Sequence, residues 1–114
     1  MQPSRPAKLL RLHLSALDKY RGKPVDEVVV QKCRELGIAG ATVFRGIEGF
    51  GESAEIHRPG LFVHDQPVVV TVVDTEENIG RLLSAVDEVV DTGLIAISDV
   101  EAIRIQKSRG QHDV

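Results

Sequence analysis

Six residues near the middle of the chain, Val68-Val69-Val70-Thr71-Val72-Val73, restrict the fold more than any other stretch. All six are β-branched, which suits a pleated strand better than a helix. Their nearly unbroken apolarity also demands cover on both faces.

The flanking sequence supplies one side of that cover. Asp74 can cap a helix, with Glu77 three residues on to answer it. Ile79, Leu82, Leu83, Val86 and Val90 then form an apolar stripe that Gly93 ends. Gly80 weakens this helix by roughly 1 kcal/mol relative to Ala. Nearer the start, Leu10, Leu12 and Leu14 alternate with Arg11 and His13, the period of a half-buried strand over Lys8 to Leu14. Pro24 suits a first helical position. Val25, Val28, Val29, Cys33 and Leu36 make the next stripe, with Asp26 and Glu27 in its first turn, Arg34 in its last and Gly37 as a left-handed stop. Thr42 to Glu48 reads as a second strand in which Gly46 marks a bulge or a close backbone approach. Leu94 to Ile105 reads as a last strand, broken or bent at Ser98-Asp99.

The order is therefore β-α-β, a long connection from Gly49 to Pro67, and β-α-β again. Right-handed crossovers place both helices on one face. The expected fold is α+β: a ferredoxin-like βαββαβ unit, a four-stranded antiparallel sheet with two helices on one face and a long loop between strands 2 and 3. It occupies residues 8–106, between flexible tails at 1–7 and 107–114. Leu9, Val69 and Val73 are too apolar to leave the opposite sheet face in water, so the chain is expected to self-associate.

Composition narrows the function. Aromatic residues are 4% of the chain and Trp is absent, so the core must be aliphatic. A net charge of −3 gives no basic footprint for nucleic acid. One cysteine, Cys33, on a buried stripe, allows neither an internal disulfide nor a thiolate metal cluster. No run approaches the ~18 apolar residues of a membrane span, and no signal segment opens the chain. A cytoplasmic location is expected. The four histidines (His13, His57, His64 and His112) form no close ligand pair, so no metal site is assigned. Nucleophile, zinc-protease and kinase motifs are absent, and no catalytic residue is assigned.

The long central connection carries what chemistry there is, since such loops in small domains are commonly functional. Gly49-Phe50-Gly51 either leaves backbone N–H groups free to hold an anion or simply permits a turn. Arg45, His57 and Arg58 can pair with phosphate or carboxylate oxygens. Arg104, flanked by Ile103 and Ile105, is either a strand-held cation for a ligand or a solubilising edge charge.

Asp18-Lys19-Tyr20, Gly22-Lys23-Pro24 and the run from Gly37 to Gly51, Gly-Ile-Ala-Gly-Ala-Thr-Val-Phe-Arg-Gly-Ile-Glu-Gly-Phe-Gly, resemble the PII-like proteins, most closely the branch catalogued as a domain of unknown function. Ile56-His57, Pro67 to Val70 and Val73-Asp74-Thr75 continue the resemblance. It implies a homotrimer with a mobile loop between strands 2 and 3 and an adenine nucleotide as ligand in clefts between subunits. Gly40 and Thr42 would then lie beside base and ribose, Gly49 and Gly51 beside the phosphates, and Arg104 would supply a cation. Three positions depart from the classical pattern. Leu94 to Ile97 runs on where a glycine- and lysine-containing loop is usual, Gln106 replaces a second strand arginine, and Ser53 replaces a glutamine. The resemblance implies a non-catalytic regulator that signals through the central loop, with Glu52, Ile56, His57 and Arg58 meeting a protein partner such as a membrane transporter. Two other readings are a ligand-independent interaction module and a metal-binding trimer.

Overall fold

The alternation of Leu10, Leu12 and Leu14 builds strand β1 (Arg5–Ser15), with those three side chains buried and Arg11 and His13 exposed between them. The structure, a computed structural model, describes residues 1–46, 49–50, 56–57 and 66–107. β1 starts at Arg5, three residues before the expected Lys8, and the Gln2 N–H donates to the Arg104 carbonyl at 3.0 Å.

Helix α1 (Val25–Glu35) follows a short antiparallel turn in which Lys19 pairs with Pro24 and Tyr20 with Lys23. Pro24 lies one residue outside the helix, extended at its N-cap. Gly37 adopts φ +73°, and Ile38 N–H donates to the Cys33 carbonyl, so the helix ends in the expected left-handed turn. Strand β2 (Thr42–Arg45) and strand β3 (Pro67–Asp74) flank the central connection. Helix α2 (Glu76–Val89) is capped by Thr75, whose hydroxyl accepts from Asn78 N–H at 3.1 Å. Asp74 is therefore not the cap. Its Oδ1 instead accepts from Thr75 N–H and the Asn78 amide, from the last residue of β3, two before the helix. The helix ends at Val89, so Gly93 is not its stop. Gly93 matters because a Cβ there would sit 2.9 Å from the His13 carbonyl oxygen. Strand β4 (Leu94–Ala102) passes through Ser98-Asp99 without a break, because all nine residues pair with β1.

The sheet order is β2-β3-β1-β4, every neighbour antiparallel. This is the βαββαβ, ferredoxin-like arrangement. Leu10, Leu12, Leu14, Val68, Val70 and Val72 face Val25, Val29, Cys33, Ile79, Leu82, Val86 and Val89 of the helices, and together they form one aliphatic core. The register places Phe44, Val69, His13 and Leu94 in one row across the other face. Val73 and Leu9 share a second row. Among the described residues nothing covers this face: Phe44 is 57% exposed and Leu94 61%.

Candidate functional site

The antiparallel register gives the sheet two ends with different chemistry. At one end β2 leaves for the central connection and β3 returns from it. There Gly46 N–H donates to the Pro67 carbonyl at 2.7 Å, and Ala16 N–H to the Gln66 carbonyl at 2.8 Å. A Cβ on Gly46 would lie 2.6 Å from Pro67 Cγ, so the glycine is there for close approach. Within the connection, Gly49 and Phe50 pair antiparallel with His57 and Ile56. Gly51, Glu52 and Arg58, also expected in the site, lie outside the described residues.

Arg45 closes this end. Its Nη2 sits 3.1 Å from Oδ2 of Asp26, a carboxylate only 4% exposed, while the arginine side chain remains 48% exposed. Both border a groove of about 660 Å³ between α1 and β2, together with Glu27, Val30, Arg34 and Val43. Two carboxylates and two guanidinium groups leave that groove without net charge, so Arg45 is not a spare cation here. The sequence reading missed Asp26. Its spacing to Val29 and Cys33 puts it on the buried stripe of α1, and that was the available signal.

At the opposite end, β1 and β4 continue as a two-stranded ribbon past the last β1–β3 pair, Lys8 with Asp74. A groove of about 490 Å³ opens beside it, lined by Arg5, Ala39, Val73, Asp74, Thr75 and Arg104 among others. Asp74 organises its floor. Burial raises the Asp74 pKa, but hydrogen bonds from Ala39 N–H, the Asn78 amide and Thr75 outweigh that and hold it below the usual carboxylate value. The Ala39 bond, 3.0 Å long, fixes the segment that carries Gly40 against the start of α2. Thr42 opens β2 opposite Thr71, midway along the sheet. Lys8 on the helix side is held by Asp99 and by Glu76 at 3.8 Å, and its pKa is raised chiefly by the Asp99 hydrogen bond.

The expected site residues thus separate within one protomer. Gly40 and Arg104 lie toward the ribbon end, Arg45 lies at the loop end, and Thr42, three residues before Arg45, lies midway. From Lys8 to Ser15 the ends stand seven residues apart, about 23 Å at the rise of an extended strand. The remaining candidates do not join either group. His13 is exposed on the open sheet face, and Cys33 is buried, with its thiol pushed up by desolvation. Among the described residues, no group of three or more His, Cys, Asp or Glu side chains is placed to hold a metal. No described helix is long and apolar enough to cross a membrane.

Comparison with known proteins agrees with this architecture. A UPF0166 protein of Aquifex aeolicus is 41% identical over 98 residues, covering 84% of this chain and 92% of that protein. The UPF0166 protein MJ1524 of Methanocaldococcus jannaschii is 40% identical over 96 residues, covering 82% and 88%. Among solved structures, CPII, a nitrogen regulatory PII-like protein from Thiomonas intermedia K12 bound to ADP, AMP and bicarbonate, superposes with a TM-score of 0.67 at 19% identity, over 90% of this chain and 92% of that one. The fold is thus that of the PII-like proteins. The family described as DUF190, Uncharacterized ACR, COG1993, matches residues 7–102, and the chain belongs to it.

Proposed function

We propose that this protein is a non-catalytic, PII-like regulator that works as a homotrimer. It binds a small anionic molecule, with an adenine nucleotide as the leading class, in clefts between subunits. The observation that carries this reading is the separation of the two half-sites. Arg104 with the Gly40 segment lies toward one end of the sheet, and the loop base at Arg45 and Gly46 lies at the other, a span longer than one nucleotide. A single small ligand meets both only if one protomer offers its ribbon end and a neighbour its loop end. The open sheet face supplies the reason for copies to associate, since Phe44, Val73 and Leu94 are exposed on it. The nucleotides bound to CPII support the ligand class.

In this reading the occupied cleft sets the conformation of the central loop, and Glu52, Ile56, His57 and Arg58 present the result to a protein partner. A thermal-shift series with ADP, AMP and ATP tests it. At a hundredfold excess over Kd, binding to the native state adds about 2.7 kcal/mol of stability. The expected result is a raised melting temperature with at least one nucleotide, on a particle with the mass of three chains. A monomer, or a trimer indifferent to all three nucleotides, would overturn it.

A further inference from the structure

We propose that Arg5 is the second cation of the ribbon-end groove and that the groove accordingly selects ligands carrying two linked phosphoryl groups, such as a diphosphate. The inference rests on the inter-subunit cleft reading and adds a residue and a charge requirement to it. β4 ends at Ala102, short of the expected Ile105, and two residues on Arg104 is the cation that this segment brings to the groove. A second cation comes from β1. Arg5 opens β1, stands opposite Ala102 across the ribbon, and lines the same groove as Arg104.

The partners of the surrounding charges sharpen the assignment. Among the described residues the ion pairs are Lys8 with Asp99 and Glu76, and Arg45 with Asp26. Neither Arg5 nor Arg104 has a carboxylate partner among them. The carboxylate bordering the groove, Asp74, already accepts from Ala39 and Thr75 N–H and from the Asn78 amide. Two exposed guanidinium groups, one on β1 and one two residues past the end of β4, with no carboxylate partner among the described residues, suit a ligand that presents several anionic oxygens at once. A singly charged carboxylate would satisfy only one of them.

Titration calorimetry on the full chain tests this, with ADP, AMP, adenosine and inorganic pyrophosphate as probes against wild type, R5Q, R104Q and the double variant. R5Q is expected to weaken ADP and pyrophosphate about tenfold and AMP by less than about threefold, in line with charge-assisted hydrogen bonds to phosphate. Adenosine should bind R5Q as it binds wild type, and the melting temperature and particle mass without ligand should stay unchanged. The double variant should lose less than the product of the single losses, because both side chains grip one group. Pyrophosphate binding that fails for wild type, or that R5Q leaves intact, overturns the proposal. So does an equal loss for adenosine and ADP, which would mark Arg5 as structural. If pyrophosphate binds through Arg5 while every nucleotide fails, the nucleotide reading falls and the role of Arg5 stands.

Discussion

Arg45 reaches Asp26 from a half-exposed position while Asp26 itself is buried, so the two halves of this ion pair are not equivalent. Removing Asp26 leaves a guanidinium that water can still solvate. Removing Arg45 leaves a carboxylate in the interior with its counter-ion gone. R45A is therefore expected to cost about 2–3 kcal/mol in urea unfolding and D26A about 1–2 kcal/mol. Equal losses at neutral pH would contradict the argument. Asp74 offers a second test. Its folded-state pKa lies below the usual 3.8, so it binds protons less readily folded than unfolded. Its stabilising contribution is complete above the unfolded value and disappears as pH falls through the folded one. Compared by thermal unfolding, D74N should be less stable than wild type at pH 7 and should approach it as the pH falls well below the usual carboxylate value. A gap that persists there would assign its cause to lost packing instead.

At the scale of elements, glycines separate what backbone geometry demands from what it tolerates. Gly80 lies mid-α2, exposed, with no atom within 4 Å of a Cβ placed there. G80A should stabilise the protein by about 1 kcal/mol. G46A should do the opposite by about 1–3 kcal/mol, since the new methyl would press on Pro67 where β2 and β3 close the neck of the loop. Differential scanning calorimetry would show melting temperatures moving in opposite directions. The same contrast shows what the sequence made legible. Periodicity alone placed β1, β3 and both helices, because aliphatic stripes repeat over enough residues to exclude other phases. Gly46 was recognisable for the same reason, as a glycine interrupting a strand pattern. The α2 cap was misplaced by one residue because Asp74 and Thr75 can both accept from the first helical turn. The sequence pattern does not record that Ala39 N–H would hold the Asp74 carboxylate outside the helix. The unbroken β4 was hidden because Ser98 and Asp99 look like turn residues. Only the ladder to Leu9 and Lys8 on β1 shows them to be strand. Arg5 escaped notice because nothing local marks it. Its meaning comes from β4 arriving beside it.

For the whole molecule, the decisive surface is the sheet face opposite the helices. Its described strand positions include Leu9, Phe44, Val69, Val73 and Leu94, with Arg5, Arg11 and His13 along β1, and the carboxylates Asp99 and Glu101 of β4 lie on the other side. A face both apolar and of one charge sign favours association through its aliphatic rows while holding the cations of neighbouring copies apart. Phe44 is the residue through which to test this. Because 57% of it is exposed, changing it disturbs little of the protomer's own core. Covering its exposed half is worth about 1 kcal/mol per copy, and burying a carboxylate in its place costs several more. F44E is therefore expected to yield folded monomers at micromolar concentration, with native-like far-ultraviolet circular dichroism and a cooperative melt, and to lose any nucleotide-induced stabilisation at the same time. The last result is the informative one. If both half-sites belonged to one protomer, the monomer would still bind. If they come from neighbours, binding and association must fail together. A folded F44E monomer that retains wild-type nucleotide affinity would show that the cleft between copies is not where the ligand sits.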